Sequence, residues 1–146
     1  MPLKNKKNIT IYTPNKSELV KRPVVYEDIS AGFPSPAEDF KEVRISLDKE
    51  LIKNEEATFY ARVRGNSMID ANIEDGDLLV IDRSIEARNG KVAVCMIDGE
   101  FTIKRLKVEK DCVYLMPENE KYKSIKVTKD NELIIWGIVT YVIKKV

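Results

Sequence analysis

A chain of 146 residues with 43% hydrophobic side chains can bury one core and has room for little else. Its 25 basic and 24 acidic side chains nearly cancel, so no global field draws it onto nucleic acid. It contains no histidine, which excludes imidazole-activated serine or cysteine nucleophiles and every histidine-ligated zinc site.

In chain order, the first segment is basic. Residues 1–22 carry Lys4, Lys6, Lys7, Lys16, Lys21 and Arg22 against Glu18 alone. The first 31 residues therefore read as a solvated, flexible arm, with weak β character at 9–12 and 24–26. Gly32, Pro34 and Pro36 then hold the backbone out of helix, and 32–39 reads as a linker. From 40 to 146 the pattern is mostly strands. Residues 58–64 alternate, with Phe59, Ala61 and Val63 on one face, and 78–81 is a short, wholly apolar run. Residues 92–97 and 101–108 flank Asp98-Gly99, a favoured two-residue hairpin turn. Strands are also expected at 112–116 and 133–143, and one short helix at 47–52 with Ser46 or Asp48 as its cap. The fold class implied is a mostly antiparallel β domain. The N-terminus has no apolar signal-peptide core, and no apolar run approaches the roughly 20 residues of a membrane span. The expected localisation is cytoplasmic.

Two stretches carry polar residues dense enough to do chemistry. The first is Gly65-Asn66-Ser67-Met68-Ile69-Asp70, where a serine follows a glycine at a strand end. By itself this is a turn signal. The acidic residues Asp70, Glu74, Asp75 and Asp77 nearby fail the calcium-loop pattern, because the glycine comes one position late and Ile81 stands where a bidentate glutamate is needed. No metal or cofactor is expected. The second stretch is 101–106, in which alternation sets Thr102, Lys104 and Leu106 opposite Phe101 and Ile103. Alternation alone makes Lys104 a residue of a solvated hairpin face. A lysine can act as a base only when neutral, and burial among apolar groups is what lowers its pKa. Cys95 sits in an apolar run and reads as a buried small hydrophobe; Cys95 and Cys112 do not suggest a disulfide framework.

Taken together, Gly65-Asn66-Ser67-Met68, the following Glu74-Asp75-Gly76-Asp77-Leu78, and Lys104 in its strand resemble the LexA/UmuD family of self-cleaving serine peptidases. Ala31-Gly32-Phe33-Pro34 resembles the family's cleavage segment. Pro117-Glu118-Asn119 and Trp136-Gly137 fall where its late strands lie. The resemblance implies Ser67 as nucleophile and Lys104 as general base. It places the scissile bond at Ala31-Gly32 and the oxyanion site at the backbone of Ser67, with Met68 as a candidate second donor. It further implies stimulation by the RecA–single-stranded DNA filament in the SOS response. The cleaved homodimer would then act as accessory subunit of a UmuC-like Y-family polymerase in translesion synthesis. Too few residues precede Ala31 for a helix-turn-helix reader, so the UmuD-like branch is the nearer likeness and sequence-specific DNA binding is not expected. Three rival readings remain: a non-catalytic β binding module, a truncated phage-type regulator, and a protease acting on other proteins.

Overall fold

The computed structural model describes residues 9–14, 21–25, 31–32 and 42–146. The basic residues 1–8 of the expected arm and the proline-containing linker residues 33–39 lie outside the described residues. The chain divides into two compact units, one of Met1–Pro14 with Asn54–Val146 and one of Asn15–Lys53.

In the smaller unit, strands β2 (Lys21–Val25) and β3 (Glu42–Ser46) pair antiparallel, with Lys21 opposite Ser46. The helix expected at 47–52 is present as α1 (Leu47–Leu51). Ser46 occupies its N-cap, but the side chain makes no capping hydrogen bond.

The larger unit is built on one eight-stranded antiparallel sheet. Its strands are β1 (Ile9–Tyr12), β4 (Thr58–Val63), β5 (Leu78–Asp82), β6 (Val92–Ile97), β7 (Glu100–Val108), β8 (Val113–Met116), β9 (Ile125–Val127) and β10 (Leu133–Ile143). Their spatial order is β1-β4-β5-β10-β6-β7-β8-β9. The mostly β expectation is met. Part of the expected arm behaves differently from a solvated tail: Ile9–Tyr12 pairs along β4 from Ile9 opposite Val63 to Tyr12 opposite Tyr60. Its Ile9-Thr10-Ile11-Tyr12 alternation supplies a strand edge, and Ile9 packs against the core.

β6 and β7 form the hairpin read from Asp98-Gly99, and both turn residues take positive φ, 47° and 84°. Alternation along these two strands divides the core. Val94 and Ile103 join Ala61, Val63, Met68, Ile73, Leu79 and Ile81 in one cluster. Ala93, Cys95 and Leu106 join Leu115 and Ile138 in the other. The face holding Thr102, Lys104 and Leu106 is thus buried, not solvated, because β8 and β10 bring Leu115 and Ile138 against it. The sequence could show the alternation but not which face would be covered.

The long strand β10 lies between β5 and β6 and shifts register twice, around Trp136 and around Thr140. The first irregularity accompanies an aromatic cluster in which Trp136 meets Phe59 and Phe101 edge-on, with centroids 5.0 and 6.1 Å away. Among the described residues no helix is long and apolar enough to cross a membrane.

Candidate active site

β4 ends at Val63, and the chain turns sharply through Gly65, whose φ of 92° favours glycine. The turn is held from below by the acidic loop. Asp75 Oδ1 accepts the Gly65 N–H at 2.8 Å, and the Gly76 N–H donates to the Val63 carbonyl at 2.8 Å. Asp77, largely buried, accepts the Glu74 N–H and the Lys144 ammonium. Asp75 and Asp77 are thereby engaged as turn anchors. Met68, only 2% exposed, plugs the core just beyond Ser67. Burying a methionine side chain contributes on the order of 1.5–3 kcal/mol, enough to fix where this short turn sits.

The other wall comes from β7. Lys104 is 6% exposed, and its neighbours on the same sheet face are Thr102 and Leu106 along the strand and Ala93 and Cys95 across it. Its Nζ lies 2.7 Å from Thr102 Oγ1, 3.0 Å from the Ile103 carbonyl oxygen and 3.1 Å from Ser67 Oγ. Two residues 37 positions apart in sequence are therefore in hydrogen-bond contact. Burial pushes the Lys104 ammonium below its ordinary pKa of 10.5. The Cys95 thiol is itself pushed up to about 12 by burial, so it stays protonated and unreactive at neutral pH. Ser67, Met68, Gly65, Arg64 and Val63 line one small open cleft with Thr102 and Ile103.

The structure thus brings Ser67, Met68 and Lys104 to one place. Ala31 and Gly32 belong to the smaller unit, where both are exposed. A Cβ added at Gly32 would meet no atom within 4 Å.

Three further residues stand at the site without a functional signal in the sequence. β-strand periodicity gives Thr102 a face, the one it shares with Lys104, and nothing more. Glu118 and Asn119 enter the sequence reading only as part of a late motif. The Glu118 N–H donates to the Ser67 carbonyl at 2.8 Å, and Asn119 Nδ2 donates to the Asn66 carbonyl at 2.7 Å.

The sequence is similar to known proteins over most of its length. The model of the Peptidase S24-like family matches residues 23–140. The chain is 42% identical to Protein MucA of Salmonella typhimurium over 121 residues, 82% of each chain. It is 34% identical to Protein ImpA of Salmonella typhimurium over 133 residues, 90% of each. It is also 42% identical to the LexA repressor of Alcanivorax borkumensis over 116 residues, covering 80% of this chain and 55% of the repressor.

Proposed function

The chain belongs to the Peptidase S24-like family, and from that membership and the site geometry we propose that it is a serine peptidase that cleaves its own Ala31-Gly32 bond. The observation that carries the reading is the 3.1 Å approach of a buried lysine amine to Ser67 Oγ. A neutral amine has two N–H donors and one lone pair. Thr102 Oγ1 and the Ile103 carbonyl are acceptors for the two hydrogens, which leaves the lone pair facing the Ser67 hydroxyl. Burial favours this neutral form, so the environment that would make a lysine costly in a core makes it competent as a base here.

The chemistry follows in two steps. Ser67 Oγ attacks the Ala31 carbonyl carbon as its proton passes to Lys104 Nζ, giving a tetrahedral oxyanion stabilised by the Ser67 N–H, with the Met68 N–H as second donor. The C–N bond breaks, Lys104 returns the proton to the leaving Gly32 amine, and an ester joins Ala31 to Ser67. Water, deprotonated by Lys104, then hydrolyses the ester and restores the hydroxyl. A tethered substrate reacts at high effective concentration, whether supplied by the same chain or by a dimer partner. Small residues on both sides of the bond let its backbone enter a narrow cleft.

The wider role rests on the resemblance to UmuD-like proteins and on the relatedness to MucA, ImpA and LexA. On that basis cleavage belongs to the SOS response and is stimulated by the RecA–single-stranded DNA filament. Cleavage removes residues 1–31 and releases a homodimer of the β domain that serves as accessory subunit to a UmuC-like Y-family polymerase.

Intact-mass analysis of the incubated protein tests the bond directly. Two fragments meeting between Ala31 and Gly32 are expected. A Gly32→Val variant should cleave at least about tenfold more slowly, because a branched side chain hinders entry to a narrow cleft. It should fold normally, since a Cβ at this position meets no atom within 4 Å. Fragments meeting elsewhere would retain the peptidase and refute the assigned bond; no fragments from a folded, stimulated protein would favour the binding module.

A further inference from the structure

The strap that follows β8, Pro117-Glu118-Asn119, lies against the Ser67 turn and has no part in the proton transfers above. We propose that Asn119 is a positioning residue that locks the Asn66–Ser67 peptide plane, so that the Ser67 N–H is held ready for the oxyanion. The inference rests on the peptidase reading and adds to it a residue on a separate element.

Peptide planarity couples the two groups of that plane. In a trans peptide the C=O and the N–H point to opposite sides of the chain, and the described backbone contains no cis bond. Asn119 Nδ2 holds the Asn66 carbonyl at 2.7 Å, so the Ser67 N–H of the same plane points away from the strap. Among the described residues that N–H has no acceptor. An unpaired amide on a turn that lines a cleft is a donor kept free for a ligand oxygen.

The Asn119 amide is itself oriented. Its Oδ1 accepts the Lys121 N–H at 3.0 Å, which leaves the Nδ2 end to face Asn66. The next plane is treated likewise. The Ser67 carbonyl accepts the Glu118 N–H at 2.8 Å, and the Glu118 carbonyl accepts the Asp70 N–H at 2.7 Å. The strap is tied to the strand that carries Lys104, since Arg105 Nε donates to Glu118 Oε1 at 2.5 Å. Without Asn119 the Asn66–Ser67 plane could rotate, because Gly65 just before it leaves the turn easily deformed. A rotated plane would aim a carbonyl, not an N–H, at the developing negative charge.

The test compares self-cleavage of the full chain across pH for wild type, Asn119→Ala and the volume-conserving Asn119→Leu, with Ser67→Ala as the inactive control. Both Asn119 variants should lose about ten- to hundred-fold in the high-pH plateau rate, as expected for a misaligned oxyanion donor. The pH midpoint should stay where it is in the wild type, because Lys104 and its three partners are untouched. Wild-type rates in either variant would overturn the proposal. A midpoint that moves with the plateau would also overturn it, by assigning Asn119 to the lysine and not to the amide. Loss of folding in both variants would make Asn119 structural only. Cleavage by wild type but not Ser67→Ala, with Asn119 variants at full rate, would sink this inference alone. Absence of cleavage in the wild type would sink the peptidase reading and this one with it.

Discussion

Replacing Ser67 by alanine, or Lys104 by methionine, is expected to lower the self-cleavage rate by at least about 10⁴-fold while leaving a folded protein. The size of the effect follows from what each atom does. Without Oγ nothing is positioned to attack, and water would have to find the carbonyl unaided. Without Nζ the hydroxyl keeps its proton, because the 3.1 Å neighbour that would accept it is gone and the chain contains no histidine to substitute. Methionine matches the shape of lysine and suits the apolar surroundings of Ala93, Cys95 and Leu106. Retained folding, checked by circular dichroism and thermal unfolding, separates loss of chemistry from loss of structure. The double variant should be no slower than either single one, because the two residues act as a unit. Cleavage within tenfold of wild type by either variant would refute the assigned roles.

Substitution of Gly137 by alanine is expected to cost roughly 1–3 kcal/mol of stability, the usual penalty for overpacking a core. Gly137 is buried in the central strand β10, opposite Val94, just after the register shift at Trp136. A Cβ there would lie 2.5 Å from Ile81 Cγ2 and 3.2 Å from Arg83 Cγ. Neither neighbour gives way easily. Ile81 is fully buried, and Arg83 is held by its Nε bond to the Trp136 carbonyl at 2.7 Å and by stacking over the indole, 4.5 Å from the ring centroid. Chemical denaturation measures the loss. The cause can be isolated with Ile81→Ala, which removes the colliding Cγ2: in that background Gly137→Ala should cost much less than alone. An unchanged midpoint for Gly137→Ala, or fully additive effects, would mean that Ile81 does not set the requirement for glycine.

Much of the sheet could be read locally. The bounds of β6 and β10 match the expected runs, and Asp98-Gly99 forms its turn, because strand alternation and turn chemistry are properties of adjacent residues. β9 leaves no signal in the sequence, since three residues, Ile125-Lys126-Val127, are too short for a period to register. β1 was visible as weak β character but not as a sheet member, because its partner β4 lies some fifty positions away. The serine and lysine could be named through the family likeness, whereas their contact could not be read from either stretch alone. The same holds for the strap, in which an ordinary Glu-Asn pair acquires meaning only when placed beside the Ser67 turn.

A pH–rate profile of self-cleavage shows whether a neutral, buried Lys104 activates Ser67. The neutral amine is the active form, so the rate must rise with pH through the folded-state pKa of Lys104. Burial lowers that pKa, so the midpoint must lie below 10.5, with the rate climbing about tenfold per pH unit beneath it and levelling above. A single ascending limb is expected in the wild type, with no cleavage at any pH in Ser67→Ala. A rate independent of pH, or one that falls as pH rises while the protein remains folded, would contradict it.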